Sequence, residues 1–201
     1  GAGKTTTLRT VMGLWHASKG SIHFGGKDIT AMNTPAIAGM NIAYVPENMG
    51  IFADLTVKEN MLLAARSARN AAQMDDARLQ WIFKLFPAVE KFWNHPAGKL
   101  SGGQKQMVAV SRAIVEPRDL LIVDEPSKGL APAIINNMID AFDQLKKSGV
   151  TILLVEQNIN FAKRLGDTVA VMDNGQVVHA GSMAALAQDE ELQRSLLGLA
   201  L

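Results

Sequence analysis

The chain has 201 residues, 48% of them hydrophobic, a net charge of +1 and no cysteine. That length supports one substantial domain with its own core, and so balanced a charge argues against a nucleic-acid footprint or a basic membrane-binding face. The cysteine count excludes disulfides and cysteine-ligated metals, and no run of about 18 apolar residues is present to span a bilayer as a helix.

Taken in order, Gly1-Ala2-Gly3-Lys4-Thr5-Thr6 reads as the second half of a phosphate loop, G-x-x-x-x-G-K-[ST]. Glycines let backbone N–H groups crowd round phosphate oxygens, and the helix that follows, Lys4 to Met12, adds its positive end. Lys4 is expected between the β- and γ-phosphates, with the Thr5 hydroxyl on Mg²⁺. Ser21–Phe24 and Lys27–Ile29 flank Gly25-Gly26 as a small hairpin. A short helix is expected over Thr34–Ala38, then a strand, Asn41–Val45, delivering Glu47 to a strand's carboxyl end. Between about 53 and 100 no strand is evident. Thr56 with Glu59 forms a capping-box signature for one helix, and Leu79, Ile82, Phe83 and Phe86 give a second, Asp75 to Phe86, an apolar face. This reads as a helical subdomain inserted in an α/β body. Phe83 and Phe86 are expected in the core, and Trp15 is expected to serve packing.

Ser101 then caps a helix that runs on through Met107–Val115. Asp119–Asp124 is a continuous apolar strand of the kind buried on both faces of a parallel sheet. A helix over Pro132–Lys147, another wholly apolar strand at Thr151–Val155, a helix at Ile159–Leu165, a hairpin across Asn174-Gly175 and one last helix from Ser182 to Leu199 complete the chain.

Two acids closing a buried strand have a specific use beside a phosphate loop. Asp124 can hold Mg²⁺, directly or through water, and Glu125 can take the proton of an attacking water. Leu100-Ser101-Gly102-Gly103-Gln104 offers a second anion-accepting helix start. One nucleotide does not need two such starts from one chain, so a head-to-tail pair of chains is the economical geometry. The four histidines, His16, His23, His95 and His179, show no metal spacing.

Gly1–Thr5, Leu100–Gln104 and Leu120–Pro126 follow one another in the order and approximate spacing of an ABC ATPase, and the chain resembles that family along its whole length. It is most similar to the second ATPase type of branched-chain amino-acid importers, through Tyr44–Glu47, Leu55–Val57 with Glu59-Asn60, Gly129–Pro132 and Val155–Asn158. Urea and short-chain amide importers are also similar. The resemblance implies a single nucleotide-binding domain over 1–201, with a mostly parallel RecA-like core, the helical insertion and a small β-rich part. It implies Thr6 on the α-phosphate, Gly1, Ala2 and Gly3 in the phosphate loop, and Ser101, Gly102, Gly103 and Gln104 over the ATP of a partner chain. Glu47 stands where most relatives carry glutamine, Gln157 where most carry a switch histidine, Ala131 where many carry aspartate and Lys128 where leucine is usual. Gln157 cannot be a cation, but its amide can donate to a γ-phosphate oxygen.

The implied protein hydrolyses ATP with Mg²⁺ in a homo- or heterodimer, grips transmembrane permease subunits at the cytoplasmic face of the membrane, and works with a solute-binding protein. Two rivals are a soluble ABC ATPase acting on DNA or ribosomes, and a nucleotide-binding module without turnover. The intact Asp124-Glu125 pair speaks against the second; the absence of sustained heptads between Lys4 and Ser101, and a single cassette, speak against the first. Because the chain opens inside the phosphate loop, a preceding segment is expected to hold the first strands, the opening glycine and the adenine-stacking aromatic, leaving this stretch with weak ATP binding or activity.

Overall fold

A computed structural model describes residues 2–66 and 68–197. Gly1 and the far end of the expected last helix lie outside the described residues.

The centre is a parallel sheet of three strands in the order β3 (Ile42–Val45), β4 (Leu120–Asp124), β5 (Thr151–Val155). Successive side chains on a strand point to opposite faces, and β4 uses both. Leu121 and Val123 enter one buried cluster, Ile122 the other, and all three are fully buried. The first cluster joins β3 and β4 to α3 (Val57–Ala64), α4 (Asp76–Leu85), α6 (Gly102–Ala113), α7 (Pro132–Lys147) and α8 (Ile159–Leu165). The second packs α1 (Lys4–Val11) and α2 (Thr34–Ala38) on the opposite face through Leu8, Met12, Ile37 and Ile42. The sheet is thus the middle of three layers.

Two antiparallel hairpins stand apart: β1 (His23–Phe24) with β2 (Lys27–Asp28), and β6 (Thr168–Asp173) with β7 (Gln176–Ser182). The second touches the start of the chain, where the Gly175 N–H donates to the Ala2 carbonyl at 3.2 Å.

Helix starts follow the side chains that cap them. Thr56 Oγ1 accepts from the Glu59 N–H at 3.2 Å and Glu59 Oε2 accepts from the Thr56 N–H at 2.8 Å, closing the expected box at α3. Asn60, wholly buried, holds the approach to that box: its amide nitrogen donates to the carbonyls of Phe52 and Thr56, and its oxygen accepts from the Phe52 N–H.

At four points the structure corrects the expectations or adds to them. The apolar strand at Thr151–Val155 forms as β5, but it pairs only with β4 among the described residues, so Thr151 is exposed and Leu153 keeps 40% of its surface. The last helix is two, α9 (Met183–Gln188) and α10 (Glu190–Leu197), because Asp189 leaves helical geometry and its Oδ1 caps the Leu192 N–H at 2.8 Å. A further helix, α5 (Pro87–Lys91), begins at Pro87, whose fixed φ suits a first turn. Trp15 is not packed away: 47% of its surface is exposed, with the Arg9 guanidinium 5.3 Å from its ring centre. Phe86 is buried as expected, and Phe83 meets Trp93 edge-to-face at 5.2 Å.

Candidate functional site

All three parallel strands point their carboxyl ends the same way, the edge at which open α/β sheets place ligands. Glu47 follows β3, Asp124 and Glu125 close β4, and Gln157 follows β5. The first turn of α1 comes to the same edge. Thr5, Glu47 and Asp124 line one cavity of about 770 Å³ together with Arg9, Leu14, Trp15, Tyr44, Pro46 and Asn48.

Gly3 caps α1 in the left-handed region, φ 85°, with no side chain bonded to the first-turn N–H groups. A Cβ there would come 3.3 Å from the Gly175 Cα, so both conformation and space call for glycine. Thr7, not Thr5 or Thr6, spends its hydroxyl on the Gly3 carbonyl, at 3.0 Å. Lys4 is half-buried and has no ion pair among the described residues. This helix start therefore keeps free donors, a free ammonium and a positive dipole end at one place.

Asp124 is fully buried and neither carboxylate oxygen makes a well-formed hydrogen bond, although the Thr5 and Tyr44 hydroxyls lie close enough to act on it. Burial pushes its carboxyl above the usual range; the nearby Thr5 hydroxyl and the Arg9 guanidinium pull down, Glu125 and Glu47 push further up. A buried carboxylate left without partners is costly unless a cation joins it. The set around it, carboxylate and hydroxyl oxygens, is what a hard divalent cation takes, so these residues fit Mg²⁺. The neighbouring Tyr44 hydroxyl is pushed up by burial and by Asp124 in turn.

Glu125 has φ 48°, uncommon for a residue with a side chain and costly on the order of 1 kcal/mol. Its N–H still donates to the Val155 carbonyl at 2.8 Å, so the chain turns sharply just as it leaves the sheet. Gln157 Nε2 donates to Glu125 Oε1 at 2.7 Å, which aims the carboxylate. The turn beyond is held by Glu156, whose carboxylate accepts from the Ser127 N–H (2.8 Å), the Ser127 hydroxyl (2.9 Å) and the Asn158 N–H (3.1 Å). Burial raises the Glu156 carboxyl and those three donors work against it. Lys128 then reaches back to pair with Glu47, its Nζ lying 3.9 Å from Glu125 Oε2.

Thr5, Glu47, Asp124, Glu125 and Gln157 are thus brought to one edge, with Lys4 at the start of the same helix as Thr5. Ser101, Gly102, Gly103 and Gln104 are not among the residues lining that cavity. Ser101 caps α6, accepting from the Gln104 N–H at 3.3 Å, and Ser101 and Gly102 are exposed. Gly103 has a packing role that the sequence does not announce: a Cβ there would meet Ile134 Cγ2 at 2.7 Å. The clamps at Glu156 and Lys128 also escape sequence reading. Lys128 shows only as a departure from the usual leucine, and the Glu156–Ser127 contact joins residues 29 apart. Among the described residues no three histidines or acids group as a metal-binding set of their own.

The ABC transporter family profile matches residues 1–128. The high-affinity branched-chain amino acid transport ATP-binding protein BraG of Pseudomonas aeruginosa is 38% identical over 98% of this chain and 84% of its own length. The probable branched-chain amino acid transport ATP-binding protein LivF of Archaeoglobus fulgidus is 32% identical, over 99% of this chain and 84% of its own. Among solved structures, an ATP-binding subunit of an ABC transporter superposes on 98% of this chain and 81% of its own, at 27% identity and a TM-score of 0.77.

Proposed function

The chain belongs to the ABC transporter family of nucleotide-binding ATPases, and from that premise we propose that it powers an importer of branched-chain amino acids, with the edge of the parallel sheet as its ATP site. The observation that carries the site is Asp124: buried, without a well-formed hydrogen bond, and close to the hydroxyl of Thr5 in the first turn of the phosphate-loop helix.

In this reading Gly1, Ala2, Gly3 and Thr6 wrap the phosphates with backbone and hydroxyl donors, and Lys4 places its charge between the β- and γ-phosphates. Thr5 and Asp124, joined by Glu47, would hold Mg²⁺, and the ion when bound would supply positive charge against the phosphate oxygens. Glu125 accepts the proton of a water whose oxygen bonds to the γ-phosphorus as the bond to the β-phosphate oxygen breaks. Gln157 orients Glu125 now, and can donate to the γ-phosphate once it is in place.

A second ATPase subunit completes the site. The N-terminus of α6, with Ser101, Gly102 and Gln104 at or near its surface, is capped and takes no part in lining the cavity at Thr5 and Asp124, which supports its use over a partner's nucleotide. The domain is read as one cassette over 1–201, in which the helices of 53–100 move with the Glu47 loop and grip a permease. Among the described residues no helix is long and apolar enough to cross a membrane, so the permease supplies the pore, the subunit sits on the cytoplasmic face, and a solute-binding protein delivers the amino acid.

The test is uptake of leucine, isoleucine and valine into vesicles containing the subunit and its co-purified permease. Glu125→Gln should retain ATP binding, lose turnover by about 10²- to 10⁴-fold and stop uptake. Normal hydrolysis in Glu125→Gln would remove the base assignment; uptake of urea or amides in place of these amino acids would remove the substrate.

A further inference from the structure

Lys128 is the one cation paired with Glu47 or Glu125 among the described residues. The turn that carries it is not slack. Its N–H donates to the Glu125 carbonyl at 3.2 Å, and the preceding Ser127 is clamped by the Glu156 carboxylate. From that fixed base the side chain spans two loops, the one after β4 and the one after β3. It touches the Glu47 carboxylate directly while its Nζ stays 3.9 Å from Glu125. Three carboxylates, Glu47, Asp124 and Glu125, converge here, and close like charges oppose one another's ionisation. The pair is open to water, with Lys128 61% and Glu47 43% exposed. Such pairs are weak and readily exchanged.

We propose that Lys128 is a built-in, exchangeable counter-ion for Glu47, which a divalent cation entering at Thr5 and Asp124 must displace before Glu47 can join it. Lys128 is then a positioning residue: it holds the Glu47 loop against the Glu125 turn in the metal-free subunit, and it sets the affinity of the site for the metal through Glu47. This rests on the reading of Thr5 and Asp124 as cation-holding residues given above.

The experiment is Mn²⁺ binding in the presence of ADP, read as free Mn²⁺ by electron paramagnetic resonance, with no turnover involved. Lys128→Leu should tighten Mn²⁺ about two- to fivefold, the worth of one exposed ion pair. Lys128→Arg, which keeps the charge and controls for folding, should match the unaltered chain. In a Glu47→Gln background the Lys128→Leu effect should vanish, because the shared carboxylate is gone. If Lys128→Leu leaves Mn²⁺ binding unchanged while Asp124→Asn weakens it, the counter-ion role fails and the metal site stands. If the tightening persists undiminished with Glu47→Gln, Lys128 acts as a distant charge and sharing is refuted. If Asp124→Asn has no effect either, the metal site falls and the counter-ion with it.

Discussion

Asp124 concentrates, in one residue, a cost that the proposed cation would relieve. Its carboxyl is raised chiefly by burial, and neither oxygen is bonded. In the unfolded chain the same group titrates near about 3.9. Between that value and the raised one, the folded chain binds the extra proton, so stability falls as pH rises through the interval and stays lower above it. Well below the ordinary aspartate range both states are neutral and the difference is gone. Asp124→Asn should therefore stabilise the nucleotide-free, metal-free protein at pH 8 by on the order of 1 kcal/mol, about 2–4 °C in Tm for a chain of this size. Thermal unfolding followed by circular dichroism in EDTA should show that gain shrink toward zero below about pH 4. A loss of stability at pH 8 would mean the buried charge has a partner after all. Next to it Glu125, with φ 48° and a carboxylate aimed by Gln157, is strained in its backbone. Strain and an unmatched charge at adjacent positions are what a site kept ready for a ligand looks like.

At the scale of the element, the capping residues decide where helices begin. Thr56 and Glu59 close a reciprocal box at α3, and the helix then buries Val57 and Met61 against the main core. Thr56→Ala removes the acceptor for the Glu59 N–H and should cost about 1 kcal/mol, within the usual range for such caps. Urea unfolding should show a lower midpoint with an unchanged slope. The same logic makes Ser101 a structural residue before it is anything else, since its hydroxyl and backbone are already engaged with Gln104. Strand β4 shows how an element positions chemistry. Its alternate side chains fill two separate cores, so Asp124 is carried to the sheet's edge on a strand anchored from both faces. A large core deletion should be felt across the molecule. Phe142, fully buried on α7 and edge-to-face with Phe161 at 6.0 Å, should cost about 3–5 kcal/mol when changed to alanine. Guanidinium unfolding measures it, and a loss under about 1 kcal/mol would mean the site collapses to refill the space.

At the scale of the molecule, the one chain presents half of each composite site it is proposed to use. Thr5, Glu47 and Asp124 line the cavity and Glu125 and Gln157 stand at the same sheet edge, while the Ser101 end of α6 is exposed and not part of that lining. Glu125→Gln should bind ATP without consuming it, and in analytical ultracentrifugation it should sediment as a dimer with ATP and as a monomer without. Adding Ser101→Arg, whose bulk would occupy the space over the partner's triphosphate, should return it to monomer. A monomer in ATP for the Glu125→Gln protein would rule out the opposed pair.

Much of this was legible in the sequence because it depends on local chemistry. G-K-T-T before a helix, T-x-x-E and S-x-x-Q caps, and an apolar run ending in Asp124-Glu125 each imply their own backbone geometry within a few residues, and those elements stand where they were expected. The order of the motifs carried the family with them. What only the tertiary structure decided involves partners far apart in the chain. β5 has the composition of a buried strand, yet its position at the sheet's edge leaves Leu153 in water. Gly103 is small because Ile134 lies against it, and Lys128 matters because the end of β3 brings Glu47 within its reach, 81 residues away. Periodicity and capping report on neighbours along the chain; which charge meets which across strand ends is settled only when the sheet sets those ends side by side.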